Sequence, residues 1–446
     1  MSPRDERRII LVLAAVQFVN ILDFMIVMPL GPDFAVELGI PLSQLGIIGG
    51  VYTLSAAISG FAGAFFLDRF DRRPALALSL LGLAIGTAGG ALATGFETLV
   101  LARVIAGAFG GPATSIALSI VADVIPAERR GRALGSVMIA FSIASILGVP
   151  LALELAHRGS WHTPFVATGL LALVAAVAAW RVLPPLREHL ERAAQPAMEG
   201  FRSLLTRPVT LLSYAMTWVT MMGGFVLIPN IAAFVQYNLH YPREELGLLY
   251  GAGGVVSFLS LRPIGRFVDR LGSFPVSAIG SVLLAVVVWV GFVWADPRVP
   301  VMMIFVFFML FSGMRNVSYS ALTSKVPLPS ERARFMSLQS MIQHLGSAAG
   351  AFLSSQLLME APSGALLHMD RVAWTSISLM IALPFIVRAV ERRVRSQDTT
   401  IAASAKAASD ASAAANAPVN APTIASTRVP PHARPEDEAS APPEGE

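Results

Sequence analysis

The stretch IILVLAAVQFVNILDFMIVMPL, residues 9–30, is the first of a series of apolar runs long enough to cross a membrane, which takes about 20 residues of helix. This run contains one carboxylate, Asp23. A charge at the bilayer centre costs at least about 2.5–3.5 kcal/mol on insertion scales, so it normally faces protein or a water-filled cavity. Gln17, Asn20 and Asp23 follow at three-residue steps and share one side of a helix. We predict that this polar stripe forms the wall of a translocation pathway.

The composition is typical of a membrane protein. The chain has 446 residues, and only 14% of them are charged, against about 25% in soluble domains. It has no cysteine, which excludes disulfides, thiolate metal sites and catalytic thiols. The net charge of +4 does not indicate nucleic-acid binding, because the basic residues form short clusters between apolar runs. No catalytic or phosphate-binding motif lies outside these runs, so we expect no enzyme activity, no cofactor and no metal.

Twelve membrane spans are predicted. They lie at 9–30, 43–67, 74–94, 97–122, 132–156, 162–183, 208–236, 246–268, 273–294, 299–322, 333–359 and 372–391. The first run is too long for the apolar region of a signal peptide, about 7–15 residues, so we expect it to remain as a membrane helix. The predicted fold class is all-α: a polytopic membrane protein with 12 transmembrane helices in two pseudo-symmetric six-helix bundles.

The distribution of basic residues predicts the orientation. The flanks and loops on one side of the predicted spans contain 24 lysines and arginines, whereas the loops on the other side contain four. Basic residues are enriched in cytoplasmic loops. We therefore expect a multi-pass protein of the cell (inner) membrane with both termini in the cytoplasm.

The chain divides into four predicted regions. Residues 1–183 form the first six-helix bundle and residues 208–395 form the second. The segment 184–207 is polar and contains three prolines, which indicates a cytoplasmic linker. Residues 396–446 are mainly small or polar and end acidic, so we expect a disordered cytoplasmic tail.

An internal repeat relates the two bundles. Residues that recur 201 positions later include the pairs Gly46 and Gly247, Gly50 and Gly251, and Asp68 and Asp269. The first and seventh predicted helices both break at a proline, Pro29 and Pro229. Parallel halves of this kind occur in transporters, where the substrate site lies between them near the middle of the bilayer.

Two loops resemble a family signature. AFFLDRFDRRP (64–74) and GRFVDRLG (265–272) are similar to the G-x-x-x-D-R-x-G-R-[RK] loop of the major facilitator superfamily. LARVIAGAFGG (101–111) resembles the fourth-helix Arg-and-Gly motif of its proton-coupled efflux members, and Asp23 with Pro29 resembles their first-helix acidic motif. The resemblance covers all the predicted spans and implies the twelve-helix drug:proton antiporter branch, which includes sugar-efflux-like permeases.

The sequence departs from the family pattern in two places. Ala64 and Asp71 stand where the first loop motif expects glycines, whereas Gly265 and Gly272 are intact in the second loop. The fifth-helix antiporter motif expects an adjacent Gly-Pro, but Val149 separates the two residues here. The second departure leaves the direction of coupling open.

Three residues are candidates for proton coupling. Asp23 and Arg103 fall at similar depths in the outer half of two predicted helices, so they can meet if those helices are neighbours. Such a pair either titrates during transport or locks two helices together permanently. His344 is the only histidine deep in a predicted span, and it either exchanges protons or links helices by hydrogen bonds. Glu154 is either a residue that reaches the membrane interface or a second proton site.

The candidates for the substrate cavity are polar and aromatic residues within the spans. They are Gln17, Asn20, Trp218, Arg315, Asn316, Tyr319 and Gln343. Arg315 must find a partner or water inside the membrane, so it either holds an anionic group of the substrate or pairs structurally. The aromatic residues of the seventh helix favour an amphipathic or lipophilic substrate, although aromatic side chains also serve packing alone.

The candidates for gating lie in the two signature loops. They are Asp68, Arg69, Arg72, Asp269, Arg270, Gly265 and Gly272. The resemblance implies that these loops form a cytoplasmic latch between the halves, which stabilises the outward-facing state. Asp68 can cap the N-terminus of a neighbouring helix, whereas arginines at this level can also act as simple positive-inside anchors.

These patterns together predict a secondary active transporter. It would export a small, amphipathic or drug-like molecule in exchange for protons by alternating access. An importer or uniporter of the same fold, and a membrane receptor or scaffold that does not transport, are the alternatives. The expected partners are the lipid bilayer, a small-molecule substrate and protons, with no nucleic acid, and we expect a monomer.

Overall fold

Helices make up nearly all of the computed structural model, which describes residues 3–66, 70–186, 204–328 and 331–415. The helices of the first half are α1 (Pro3–Ile26), α2 (Gly31–Leu38), α3 (Leu45–Phe66), α4 (Arg72–Gly90), α5 (Phe96–Val124), α6 (Ala127–Ile143), α7 (Val149–Arg158) and α8 (His162–Val182). Those of the second half are α9 (Pro208–Phe225), α10 (Ile231–Tyr237), α11 (Leu246–Leu271), α12 (Ser273–Val288), α13 (Val301–Thr323), α14 (Arg332–Leu357) and α15 (Met369–Ala415). Residues up to Arg395 form one compact unit, which contains both halves, and residues from Ser396 form a second.

Ten helical stretches in the described part of the chain are long and apolar enough to cross a membrane. Two further long helices, α4 and α14, lie at the positions of the third and eleventh predicted spans. α14 is less apolar because Gln339, Gln343 and His344 interrupt it. Large apolar side chains on the outside of the bundle are exposed, among them Leu11 (71%) and Phe385 (72%). Such an exposed apolar surface is expected where lipid covers the protein.

The first long helix of each half ends shortly before a proline, at equivalent positions in the internal repeat. α1 ends at Ile26, and a turn that contains Pro29 leads into α2. α9 ends at Phe225, and a 3-10 turn that contains Pro229 leads into α10. Proline has no N–H for the helical hydrogen bond, and its ring clashes with the preceding turn. The predicted breaks at the two prolines are therefore confirmed.

The fifth predicted span consists of two helices joined by a wide turn. A π-helical turn, Ala144–Gly148, connects α6 to α7. Pro150 in the first turn of α7 lacks the N–H that would continue a regular helix. π-helical turns of this kind commonly occur at functional positions. In this protein the turn lies against α11 of the second half.

The two halves meet through two pairs of helices, each with one helix from either half. α3 of the first half packs on α14 of the second, and α11 of the second half packs on α7 of the first. Glycines allow the backbones to approach closely. A Cβ at Gly46 would lie only 2.8 Å from Ser354 Oγ, whereas a Cβ at Gly247 would make an ordinary contact, 3.8 Å from the carbonyl oxygen of Pro150. The repeated glycines thus occur where each half faces the other.

One large apolar cluster of the described residues is shared between the halves, at one end of the bundle. At the end that contains α2 and α10, one cluster includes Leu30 and Phe34 of the first half together with Phe234 and Val372 of the second. At the opposite end, the first half has a cluster of its own. The second half there has two clusters, and Phe61 of α3 packs against one of them. The halves are therefore closed against each other at the α2–α10 end, which the charge distribution predicts to be the outer end.

Two features differ from the predicted arrangement. A short antiparallel hairpin, β1 (Met359–Glu360) and β2 (Leu366–Leu367), lies between α14 and α15, and Gly364 adopts φ +82° in its turn. α15 continues to Ala415, into the segment predicted to be a disordered tail. That stretch is rich in alanine, the strongest helix former. Most of the predicted linker, residues 187–203, and the end of the predicted tail, residues 416–446, lie outside the described residues.

Candidate functional site

An ion pair joins Asp23 of α1 to Arg103 of α5 inside the first half. Arg103 Nη1 donates to Asp23 Oδ1 at 3.0 Å, and both side chains have no exposed surface. Thr87 of α4 donates its hydroxyl to the same oxygen at 2.7 Å. Among the described residues, Asp23 Oδ2 and Arg103 Nη2 have no hydrogen-bond partner. The predicted contact is present, and it leaves one carboxylate oxygen available to bind a proton.

Aromatic rings enclose the arginine. The guanidinium carbon of Arg103 lies 5.2 Å from the centre of the Phe165 ring and 5.9 Å from that of Tyr52. A cation over an aromatic face is stabilised by the ring quadrupole, by about 2 kcal/mol or more when it is desolvated. Gly90 leaves room on a further side, because a Cβ there would lie 3.5 Å from Arg103 Nη2. The charge is thus held among rings and small residues, away from water.

Asn20 connects α1, α3 and α5 one turn from the ion pair. Its side-chain nitrogen donates to the carbonyl oxygen of Gly110 at 2.7 Å and to Thr114 Oγ1 at 2.5 Å, and the Tyr52 hydroxyl donates to its oxygen at 3.0 Å. Gln17 is 2% exposed, and its Oε1 has no partner in the described residues. The stripe of Gln17, Asn20 and Asp23 is buried, as predicted, while its role in a translocation pathway stays a prediction.

A second polar group lies in the second half. Gln339 of α14 donates to the Thr217 hydroxyl of α9, and its side chain lies beside that of Tyr319 in α13. His344 lies one turn further along α14, is partly exposed, and has no hydrogen-bond partner within the described residues. Gln343 is exposed. The structure therefore brings Tyr319 and Gln339 together, but not His344 with them.

Arg315 of α13 is buried without a carboxylate. It is 4% exposed, and its Nε has no hydrogen-bond partner within the described residues. Its Nη1 and Nη2 lie beside the backbone of Gly223 and Gly224 in α9. The adjacent Asn316 is exposed, and Trp218 of α9 is 37% exposed. No acidic side chain lies within salt-bridge distance of Arg315 in the described part of the chain.

The signature loops are only partly described, since Asp68 and Arg69 lie outside the described residues. Arg72 donates from Nε to Asp123 Oδ2 at 2.5 Å, and Asp71 caps α4 by accepting from the Arg73 amide at 3.0 Å. Asp71 therefore keeps a structural role at a position where the family motif has glycine.

The second signature loop is described in full, and its role as a latch stays a prediction. Asp269 and Arg270 are exposed, and no hydrogen bond or ion pair forms at Asp269 within the described residues. Glu391 of α15 caps α12, accepting from the Phe274 amide at 3.0 Å. Gly272 adopts φ +92°, and a Cβ there would lie 2.8 Å from Glu391 Oε1. A Cβ at Gly265 would meet no atom within 4 Å.

A bridge between the halves was missed by sequence reasoning. Arg243 donates to both carboxylate oxygens of Asp33, from Nε at 2.7 Å and from Nη2 at 2.5 Å. Asp33 belongs to α2 and Arg243 to the 3-10 turn before α11, so the bridge closes the α2–α10 end. The ion pairs Glu6–Arg129 and Arg207–Glu331 at the opposite end each join elements of one half. Little in the sequence indicated this bridge, because neither Asp33 nor Arg243 has a counterpart in the other half of the internal repeat.

No metal centre is indicated. In the ranges that the structure describes, no group of three or more His, Cys, Asp or Glu side chains is placed to hold a metal ion.

Comparison with known proteins places these features in context. The family model described as Major Facilitator Superfamily matches residues 13–351 and 213–398. A chloramphenicol resistance protein of Streptomyces lividans is 26% identical over 265 residues, which are 57% of this chain and 64% of that protein. A probable sugar efflux transporter of Pasteurella multocida (strain Pm70) is 24% identical over 331 residues, 73% of this chain and 79% of the relative. The match thus spans less than two thirds of the length of the first of these relatives.

The fold also matches solved structures. A crystal structure of a D-xylose-proton symporter aligns with a TM-score of 0.69 at 18% sequence identity, covering 85% of this chain and 96% of that one. At this identity the likeness supports the fold alone.

Proposed function

The chain belongs to the Major Facilitator Superfamily, and on that premise we propose that this multi-pass membrane protein exports a small, amphipathic or drug-like molecule in exchange for protons by alternating access. The observation that carries the proposal is the fully buried Asp23–Arg103 pair. The description of two relatives as a chloramphenicol resistance protein and a probable sugar efflux transporter supports export as the direction.

The geometry of the pair suits a proton switch. Asp23 Oδ1 accepts both hydrogen bonds, while Oδ2 has no partner among the described residues, so a proton can bind without displacing a donor. Protonation removes the charge that balances Arg103. Loss of one partner of a buried ion pair costs about 3–5 kcal/mol, and about 5.5 kcal/mol moves a two-state equilibrium from 1:99 to 99:1. Protonation can therefore shift the equilibrium by most of this amount, because a conformation that gives Arg103 water or another partner avoids the cost.

The asymmetry of the repeat supports a single proton site. At the offset of 200 that relates Pro29 to Pro229, Gly223 and Gly224 match Asp23 and Phe24, and Arg103 falls on an apolar stretch of α13 at Phe305 or its neighbours. The second half thus keeps the helical framework but has no counterpart of Asp23 or of Arg103. We take the state closed at the α2–α10 end as the one that exchanges substrate and protons with the cytoplasm.

Transport by reconstituted protein tests the proposal. The full chain in liposomes would be given an imposed pH gradient and a panel of compounds that includes chloramphenicol and simple sugars. We expect proton-driven accumulation of a substrate, and we expect Asp23→Asn to lose that drive while the exposed-site control Glu244→Gln keeps it. Full proton-dependent transport by Asp23→Asn would refute the role of the pair. Transport at a rate independent of the pH gradient would instead identify a uniporter. Movement of substrate in the same direction as protons would identify an importer.

A further inference from the structure

Arg315 is the described arginine whose charge the fold buries without an opposite charge. It is 4% exposed, with Nε enclosed and unpartnered. Arg103, the other arginine buried inside the spans, has Asp23. A buried guanidinium needs a partner or water, so Arg315 is placed to receive a group that the protein does not supply.

The backbone carbonyls beside the guanidinium already accept hydrogen bonds from other groups. A Cβ at Gly224 would lie 3.3 Å from Arg315 Nη2, so the side chain lies directly against the end of α9. The carbonyl of Gly223 accepts from the Ser376 hydroxyl at 2.5 Å, and that of Gly224 accepts from the Leu227 amide at 3.1 Å. Each carbonyl has a donor already, and no hydrogen bond from Arg315 to either of them forms among the described residues.

An apolar surface connects Arg315 to the ion pair of the first half. Phe225 follows Gly224 directly, and its ring centre lies 5.8 Å from that of Phe24 in α1. The Phe24 ring lies 5.5 Å from that of Tyr52, and the Tyr52 ring lies 5.9 Å from the guanidinium carbon of Arg103. A molecule with an anionic end at Arg315 and an apolar body along these two rings would therefore reach from one half to the other, next to the residue proposed to take up the proton.

We propose that Arg315 binds the carboxylate of an amphipathic organic acid, and that this class of molecule is the substrate. The planar fork of a guanidinium matches the two oxygens of a carboxylate better than it matches a neutral group. Tyr319, one turn further along α13 and beside Gln339, supplies a polar wall beside the fork. The inference rests on the proposed transport function and names the substrate class for the same site.

Equilibrium binding to the purified full chain in lipid nanodiscs, without any gradient, tests the inference. The probes are 4-phenylbutyrate and its primary amide, which share a shape and differ in charge. We expect the carboxylate to bind about tenfold or more tightly than the amide, since hydrogen bonds to charged groups contribute more than neutral ones. Arg315→Gln should abolish this preference, Arg315→Lys should keep part of it, and the exposed loop control Arg298→Gln should not change it.

Equal binding of the two probes by the wild-type chain, or a preference that survives Arg315→Gln, would overturn the inference. If Arg315→Gln does not fold, Gly224→Ala replaces it, because the added methyl group crowds Nη2 and should weaken carboxylate binding more than amide binding. The transport assay is read separately. Proton-driven transport without a carboxylate preference contradicts this inference alone, whereas a carboxylate preference without proton-driven transport contradicts the coupling alone.

Discussion

Breaking the Asp33–Arg243 bridge is expected to open the α2–α10 end of the protein. Both oxygens of the carboxylate accept hydrogen bonds from the guanidinium, at 2.7 and 2.5 Å. Asp33 belongs to the first half and Arg243 to the second. The bridge therefore exists only while the halves are closed at this end, and Asp33→Asn should destabilise the closed state relative to the open one.

The size of the effect follows from the exposure of the pair. Hydrogen bonds to charged groups contribute about 1.5–3 kcal/mol, whereas fully exposed ion pairs contribute about 0–1 kcal/mol. The two side chains are 22% and 23% exposed, so we expect about 1–2 kcal/mol after allowance for solvent screening. That free energy corresponds to an increase of about five- to thirtyfold in the ratio of open to closed molecules.

The absence of cysteine from the chain makes a distance measurement direct. Cysteines introduced at Leu92, after α4, and at Arg298, before α13, would carry spin labels on the two halves at this end. Both positions are exposed. Pulsed electron spin resonance in nanodiscs should show a larger long-distance population for Asp33→Asn than for the parent chain.

Two variants make this measurement decisive. Glu154 and Arg158 form an ion pair within α7, so Glu154→Gln removes a bridge that does not join the halves and should leave the distances unchanged. The exchange of Asp33→Arg with Arg243→Asp should restore the closed population. A distance distribution in Asp33→Asn equal to that of the parent, or an exchange that recovers nothing, would refute the reasoning.

Three further predictions concern packing and hydrogen bonds. Gly46→Leu should prevent α3 from approaching α14 and abolish transport. The control Gly89→Leu should keep transport, because a Cβ at Gly89 meets no atom within 4 Å. Equal transport rates of the two variants in liposomes would contradict this prediction. Thr87→Val removes a buried donor to Asp23 and should lower stability by about 1–3 kcal/mol, measured as a lower melting temperature than in the Thr375→Val control, whose hydroxyl is exposed. Asp71→Ala removes the cap of α4 and should cost about 1 kcal/mol, with an unchanged melting temperature as the opposing result.

Much of the fold follows from the sequence because a membrane imposes a simple rule on it. Every span must satisfy its backbone internally, so long apolar runs predict helices. The prolines at 29 and 229 act locally, through a missing N–H, and their effect needs no tertiary information. The buried stripe of α1 was predictable for the same reason, since a carboxylate in an apolar run has to face inward.

Contacts between distant side chains could not be predicted in the same way. The loop signature drew attention to Asp269, but the cap of α12 comes from Glu391 on another helix. Asp33 and Arg243 are unremarkable in sequence, because their pairing depends on how the halves close. Arg315 was evident as a charge within a span, whereas its lack of a carboxylate partner depends on where every neighbouring acid lies.

The ion pair of the first half also bears on how the protein responds to voltage. With Asp23 ionised, the pair has no net charge, but a proton on Asp23 leaves the charge of Arg103 unbalanced inside the membrane. Each elementary charge moved across 100 mV of potential involves about 2.3 kcal/mol. Protonation is therefore expected to add one charge to those that respond to the electric field when the halves move, because the unprotonated pair has no net charge. Current recordings at fixed pH would separate the electrical step of the cycle from the neutral one.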